Sequence, residues 1–322
     1  MNILITSASR KVSLVRAFQK ALTSEGGGKV IAVDTSPLAP ALYVADDYYL
    51  VPSSREPAFL EALLRLCQQH EIKLIVPTRD EELPLFAENK GSFAAAGVVV
   101  MISDSDTVRI CQDKRGFVRF CHENGFITPT TYESANVPDR SPLFVKPRYG
   151  KGGQKAVRVD SIDELASVLN RMPDAIVQEF VKAPEYTVDL FADFSAKVIS
   201  VVPRERIRIV AGESFVSRTC KDPRLIQEAM RLSVALRLIG HNTIQCFYQE
   251  PVVKFIEVNP RFGGAAHLGF AAGAPTPLFL VKLLKGERLE PRIGDFRDNY
   301  TMLRYTEDLF LDEADLANRT VP

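Results

Sequence analysis

The 322-residue chain predicts an α/β protein: an N-terminal doubly wound parallel sheet, then a second, α+β region. Three observations carry that expectation. As far as Ile102, short β-type runs alternate with helical stretches, the order of a parallel sheet with helices on both faces. The segment GFITPTTY (125–132) holds Gly125 and Pro129, two helix breakers, and reads as a linker into a new region. Past the linker, strands follow one another across short turns, as antiparallel pairing requires.

The elements bear this out in order. Asn2–Thr6 is a short buried-type strand, followed by a polar turn at Ser7–Lys11 and by apolar residues at helical spacing over Val12–Leu22. Val30–Val33, ending at Asp34, and Tyr48–Val51 are the next strands. Phe59–His70 is an amphipathic helix and Leu74–Pro77 the fourth strand. Glu81–Asn89 is helical and Val98–Ile102 is the fifth strand. Asp104-Ser105-Asp106 opens a helix that continues over Val108–Asn124 and contains Gln112, Asp113 and Lys114. In the second region Ser141–Lys146, Ala156–Val159 and Ala175–Val181 are strands and Asp163–Arg171 is a helix. Glu185–Ala192 and Lys197–Pro203 read as an antiparallel pair. Pro223–Leu238 is a long helix closed by Gly240, Pro277–Lys285 is helical, and Tyr300–Tyr305 is a strand-like run in the tail.

Lysine plus arginine and aspartate plus glutamate balance at 40 each, with 46% of residues hydrophobic, an ordinary soluble composition. Without net charge or a basic run the chain lacks the footprint of a nucleic-acid binder. No apolar stretch nears the roughly 18 residues of a membrane span. MNILITSASRKV enters a strand directly, without the layout of a signal peptide. The five cysteines (Cys67, Cys111, Cys121, Cys220, Cys246) have no CxxC spacing and read as reduced packing residues, so the expected location is the cytoplasm. His267 reads as core or surface filler.

Most of the chemistry lies in NTIQCFYQEPVVKFIEVNPRFGG (242–264). Thr243–Tyr248 and Val252–Val258 read as strands joined by a turn at Gln249-Glu250-Pro251. Strict alternation puts Lys254, Ile256 and Val258 on one face, and Phe255, Glu257 and Asn259 on the other. A hairpin then brings the Gln245 amide beside Glu257 and Asn259. Three oxygen donors with little charge suit Mg²⁺, completed by water and phosphate oxygens. The same residues also fit an edge hairpin with a polar outer face. Upstream, a strand ending in Lys146 runs into PRYGKGGQK (147–155), whose glycines let backbone N–H groups approach an anion. Lys146 and Lys114 add charge there, although an ordinary flexible turn has the same composition. The loop does not match GxxxxGK[ST], and TSASRK after the first strand is no GxGxxG, which disfavours a dinucleotide site.

In doubly wound sheets, ligands bind beyond the carboxyl ends of the strands. Here those ends carry Ser7, Ser9 and Arg10, then Thr78, Arg79, Asp80 and Glu81. Arg10 suits a substrate carboxylate, and Asp80 or Glu81 an ammonium group. Arg10 reads equally as a surface charge, and Asp80 as a helix N-cap.

Asp113-Lys114, FVKPRYGKGG (144–153), VQEFV (177–181), PEYTVDL (184–190) and IQCF…FIEVNPR (244–261) occur in the order found in the ATP-grasp superfamily. The chain most closely resembles one synthetase unit of the carbamoyl-phosphate synthase large subunit. This resemblance implies a pre-ATP-grasp α/β domain over 1–107, a two-lobed ATP-grasp domain over 108–290 with its lid lobe near 126–184, and a C-terminal tail over 291–322. It implies Lys114 and Lys146 on the ATP phosphates, with Gly152 and Gly153 in the lid loop. Glu179 and the backbone of Val181 would meet adenine, and Glu185 the ribose hydroxyls. Gln245, Glu257 and Asn259 would hold Mg²⁺ or Mn²⁺. Arg261 would lie beside the transferred phosphate, making it and Lys146 the catalytic residues.

The chain departs from the synthase in several places. It has one synthetase unit without duplication, no glutaminase or carrier-protein signature, and FGGAAHL after Arg261 in place of a serine-rich run. A small stand-alone unit looks more like the biosynthetic carboxylate–amine ligases. The expected function is therefore an ATP- and Mg²⁺-dependent ligase joining a small-molecule carboxylate to an amine through an acyl phosphate. The superfamily implies a homodimer, and the charge balance and apolar runs above imply no nucleic-acid or membrane partner. Two readings from other classes stand beside it. A nucleotide-binding regulatory protein without turnover has no chemical need of the full Gln245, Glu257, Asn259 and Arg261 set, and an NAD-type oxidoreductase lacks its glycine fingerprint. Whether Arg204 or Arg218 contacts phosphate stays open at this level.

Overall fold

The computed structural model describes residues 1–133, 137, 142–150, 153, 155–316 and 318–321. Its first strands are apolar on both sides, which is what burial between two helical layers demands. β1 (Asn2–Ile5), β2 (Val30–Asp34), β3 (Asp47–Leu50), β4 (Ile72–Val76) and β5 (Val99–Val100) form a parallel sheet in the order β3-β2-β1-β4-β5. Ile3 and Ile5 enter one core with α1 (Val12–Ser24). Leu4 enters the opposite core with α2 (Ala58–Gln69), α3 (Leu83–Glu88) and α4 (Lys90–Ala95). The strand order reverses between β1 and β4, so the loops after these two strands flank the switch-point crevice.

The single helix expected over 108–124 is two helices, α5 (Ser105–Gln112) and α6 (Lys114–Glu123), broken at Asp113. Asp113 has an extended backbone (φ −93°, ψ 103°), and its carboxylate accepts from the Arg115 N–H at 3.0 Å, capping α6. Arg148 forks onto the same carboxylate at 2.7 and 2.5 Å. One aspartate thus turns the chain and ties down the loop beyond Lys146.

β6 (Thr131–Tyr132), β7 (Leu143–Pro147), β8 (Val157–Val159) and β9 (Ala175–Glu179) make a four-stranded antiparallel sheet in the order β6-β9-β7-β8. Helix α7 (Ile162–Arg171) packs on it through Leu165 and Val168, against Val145 and Val177, in a small core of its own. β10 (Glu185–Ala192), β11 (Val198–Val210), β12 (Glu213–Thr219), β13 (Gly240–Gln249), β14 (Val252–Asn259) and β15 (Thr301–Leu303) form an antiparallel sheet in the order β14-β13-β10-β11-β12-β15. Helix α8 (Pro223–Leu236) starts at Asp222, whose carboxylate accepts from Arg224 N and Leu225 N, and buries Leu225, Ala229 and Leu232 against this sheet. Two more helices, α9 (His267–Ala272) and α10 (Thr276–Leu284), follow β14. Phe191, Ile199, Phe262 and Phe279 share one core with Ile3 and Ile5, so the parallel and antiparallel sheets are joined by continuous apolar packing. The tail is split between them: β15 pairs with β12, and Arg319 O accepts from Leu50 N at 2.7 Å at the β3 edge. Among the described residues no helix is long and apolar enough to cross a membrane.

Strict alternation fails in β14. Gln245 pairs with Glu257, but Cys246 pairs with Phe255, which leaves Ile256 as the extra residue of a bulge. Phe255 and Val258 consequently both enter the core. Alternation predicts Phe255 on the face of Glu257; the bulge puts it on the opposite one. Glu257 and Asn259 do remain neighbours, because the slip lies before both.

Candidate active site

The β13–β14 hairpin sets Gln245 opposite Glu257, and the Asn259 amide donates to Glu257 Oε1 at 3.0 Å. Three side-chain oxygen donors therefore adjoin, with one negative charge among them. Among the described residues no three His, Cys, Asp or Glu side chains gather as a metal site. The set suits a hard cation that draws its remaining ligands from phosphate and water, and it does not suit a self-contained protein cage.

Lys146 stands near the end of β7, buried, facing this group. Burial pushes its ammonium down to about 8, against the pull of Glu257 and Glu185 and with a further push from Lys114. Lys114, first residue of α6, is also buried and donates to Gly150 O at 2.6 Å. Of the two glycines expected in a lid loop, Gly153 is exposed in the left-handed region (φ +65°), where a side chain would be strained. Gly152 lies outside the described residues.

At the other end of β14, Lys254 donates to Glu179 Oε1 at 2.5 Å, linking the two antiparallel sheets. Burial alone would raise the Glu179 carboxyl, but the bonds from Lys254 and from Thr130 N outweigh it and hold the group below the usual carboxylate range. Val181 follows β9, and among the described residues nothing accepts from its N–H.

Three arginines without a settled role at the sequence level are placed clearly. Arg206, on β11, donates through Nη1 to Glu185 and to Gln245 Oε1 (3.2 Å), through Nε to Ser214 Oγ (3.1 Å) and through Nη2 to Gly212 O (2.7 Å). The signal that could have found it is the period-two run Arg204, Arg206, Arg208, which puts alternate arginines on one strand face. Arg204 itself is spent on Asp189 at 2.7 Å, both side chains 3% exposed. Arg218 pairs with Glu205 at 2.9 Å.

Arg261 and Asp80 form a bidentate pair: Nε to Oδ1 at 2.7 Å and Nη2 to Oδ2 at 2.6 Å. Burial works against the guanidinium charge, and Asp80 more than restores it, holding Arg261 above its usual range. Neither earlier reading of Asp80 survives this geometry. Its side chain caps no helix, and its carboxylate is already engaged and not open to a substrate ammonium. Glu81 is exposed on the same short turn, within electrostatic reach of Arg261. Arg10 is exposed and reaches Glu213 Oε1 at 3.3 Å, while Glu213 also takes Arg304 Nη1 at 2.5 Å.

The backbone beside Arg261 is fixed by packing. Phe262 is buried, stacked on His241 (centroids 4.2 Å apart) and edge-on to Phe18. Burying such a ring contributes about 2–3 kcal/mol. Gly263 lets the chain press onto β13, since an added Cβ would lie 2.7 Å from Thr243 Oγ1. That hydroxyl donates to Arg261 O at 3.1 Å. His267, left as filler, starts α9 and is pushed down to about 4 by burial, with Arg304 and Arg204 adding to the effect.

Residues 3–101 match a family described as the PylC-like N-terminal domain, and residues 111–265 match the ATP-grasp domain. The carbamoyl phosphate synthase large chain of Pasteurella multocida is 24% identical over 293 residues, covering 83% of this chain and 27% of the relative. The chain thus spans about a quarter of the length of such curated relatives. Among solved structures, the biotin carboxylase–β-γ-ATP complex from Campylobacter jejuni superposes with a TM-score of 0.72 at 16% identity, covering 90% of this chain and 72% of that one. The L-amino acid ligase from Bacillus licheniformis gives 0.70 at 18%, covering 93% and 78%. With its parallel N-terminal sheet, antiparallel second region and matching order of motifs, the chain is an ATP-grasp protein with a PylC-like N-terminal domain.

Proposed function

We propose that the protein is an ATP- and Mg²⁺-dependent ligase that joins a carboxylate to an amine through an acyl phosphate. The observation that carries this reading is the grouping of Gln245, Glu257 and Asn259 on the β13–β14 hairpin, with the buried Lys146 within electrostatic reach of Glu257. In this reading a substrate carboxylate oxygen attacks the γ-phosphorus while the bond to the β–γ bridging oxygen breaks and ADP leaves. The amine nitrogen then attacks the acyl carbon, inorganic phosphate departs, and the nitrogen gives up its proton.

Positioning and charge neutralisation are what this chemistry asks of a protein. Lys146 and Lys114 supply positive charge to the phosphates, and Arg261 supplies it to the phosphate in transfer. Gln245, Glu257 and Asn259 would hold Mg²⁺ or Mn²⁺, which neutralises the β- and γ-phosphate oxygens when bound. The Val181 N–H offers a donor for adenine, and Glu185 an acceptor for the ribose hydroxyls once Arg206 shares it. The loops after β1 and β4 flank the space left for the acceptor, with Arg10 and Glu81 exposed at its edge.

A carboxylate-by-amine screen with MgATP, reading phosphate release, tests the reading. Release that requires one particular carboxylate is expected. MgATP binding without turnover across the whole screen would make the chain a regulatory nucleotide binder.

A further inference from the structure

We propose that Asp80 is a positioning residue for Arg261: the N-terminal domain supplies the carboxylate that aims the guanidinium at the phosphate in transfer. The inference rests on the phosphoryl-transfer reading above and adds a residue to it. Asp80 and Arg261 are 181 residues apart in sequence, on the loop after β4 and at the end of β14. Their side chains are only 18% and 15% exposed, and both Asp80 oxygens are used. A fork of this kind fixes the plane of the guanidinium as well as its place, which a single contact does not.

Both partners are braced. Asp80 O accepts from the Gln112 amide on α5. Its neighbour Glu82 is buried, accepting from Thr6 Oγ1 at 2.8 Å and from Ser7 Oγ. Thr78 Oγ1 bonds the carbonyls of Thr6 and Ser7, both at 2.8 Å. The turn that carries Asp80 is therefore locked to the loop after β1, where the acceptor is expected. On the Arg261 side, Nη1 reaches Phe262 O at 3.2 Å and Nη2 reaches Asn259 Oδ1 at 3.4 Å. Four of the five N–H groups are thereby directed into the protein, and one Nη1 proton is left to give. An arginine without Asp80 would keep its charge and lose this aim.

The test uses the full chain and two probes. MgATP affinity reads ground-state binding. MgADP with aluminium fluoride mimics the planar phosphoryl group, and turnover is read with the pair found in the screen. Asp80→Asn is expected to leave MgATP affinity within about threefold and to weaken the fluoride complex and kcat by roughly 10–100-fold, the usual cost of removing a supporting partner. In an Arg261→Ala background the same change should add nothing, because Asp80 acts through that side chain. Asp80→Glu should recover part of the loss. If Asp80→Asn does not fold, Arg261→Lys, which keeps a cation without the fork, is expected to show the same split between the two probes. A lowered Tm with unchanged kcat and fluoride affinity would make the pair an interdomain strut and overturn the inference. Equal further losses in the Arg261→Ala background would overturn it too. A wild-type chain that fails to bind MgATP would remove the ATP reading and this inference with it, whereas intact MgATP binding with an indifferent Asp80→Asn removes the inference alone.

Discussion

On the lid side of the cleft the buried cation, Lys146, has no carboxylate within ion-pair distance among the described residues; on the side of the parallel sheet, Arg261 is forked onto Asp80. Lys146 is buried and Arg261 largely shielded, and desolvation opposes both charges, yet the outcomes are opposite. The lysine is pushed down to about 8, while the arginine is held above its usual range. Lys146 gains only from carboxylates farther off, Glu257 and Glu185, and loses to Lys114. A buried cation without a close partner is costly, and a bound anion relieves that cost. In the proposed reading the Lys146 side is thus prepared for an incoming polyanion, while the Arg261 side is preset before any ligand arrives. In the proposed reaction, ATP completes the first site, and the second waits for the phosphate in transfer.

The largest effect should come from the carboxylate that serves both sides. Glu257→Gln removes the single charge among the three adjoining oxygen donors and takes a favourable field from Lys146 and from Arg261. The variant is expected to fold, with turnover reduced by roughly 10³-fold, at the upper end for loss of a preorganised electrostatic group. Phosphate release at the parental rate would refute the role of the hairpin. Lys146→Ala ranks next, at about 10²–10³-fold in rate, roughly 3–4 kcal/mol. Nucleotide affinity should fall with it, since the lysine faces the ground-state phosphates as well. Unchanged affinity and turnover would leave the loop after β7 an ordinary turn.

The comparison also predicts a pH dependence on one side only. In the free protein Lys146 loses its proton through about pH 8, and bound phosphates raise that value. Above pH 8 the complex therefore holds more protons than the free protein, so affinity for ATP falls as pH rises through about 8. Calorimetry in two buffers of different ionisation enthalpy should show proton uptake at pH 8–8.5. Lys146→Arg should abolish that uptake, because a guanidinium stays charged. The stability of the free chain follows the same sign. An unfolded lysine titrates near 10.5, so the unfolded chain binds more protons between about 8 and 10.5, and the Lys146 contribution favours folding increasingly as pH rises through that window. Uptake that persists in Lys146→Arg would assign the proton to another group.

The two sides were not equally legible in the sequence. The alternation of strands and helices gave the parallel sheet because its central strands are short and apolar on both sides, with helices following β1, β3 and β4. The grouping of Gln245, Glu257 and Asn259 could be read from one hairpin, since strand pairing is local. The bulge at Ile256 could not, because no glycine or proline marks it and Ile256 suits either face. The break at Asp113 was hidden in part because the carboxylate that caps α6 is also held by Arg148, 35 residues away just beyond β7. Asp80 was noticed as a charge at a strand end, but its partner lies 181 residues on, and no local pattern links them. Arg206 received no role because its meaning depends on which strand β11 pairs with, and Glu185 becomes its partner only through that pairing.

The smallest expected effect concerns a third cation, Lys254, which is paired like Arg261 but lies at the junction of the two antiparallel sheets. Its side chain and that of Glu179 are 28% and 30% exposed, so solvent screens the pair and its worth to stability stays within about 1 kcal/mol. The Glu179 carboxyl is held below the usual carboxylate range in the folded chain, so the pair contributes above that range and its contribution is lost as pH falls through and below it. Lys254→Met should therefore lower Tm slightly at pH 7 and not at all well below pH 4. Function should respond differently. Without Lys254, Glu179 keeps its bond from Thr130 N but is free to swing, and the backbone toward Val181 loses a restraint beside the proposed adenine contact. KM for ATP should rise a fewfold with kcat unchanged, the pattern of lost uniform binding. A fall in kcat of the size expected for Lys146→Ala would mean that Lys254, too, acts on the phosphate in transfer, and the division between a preset side and an anion-completed side would fail.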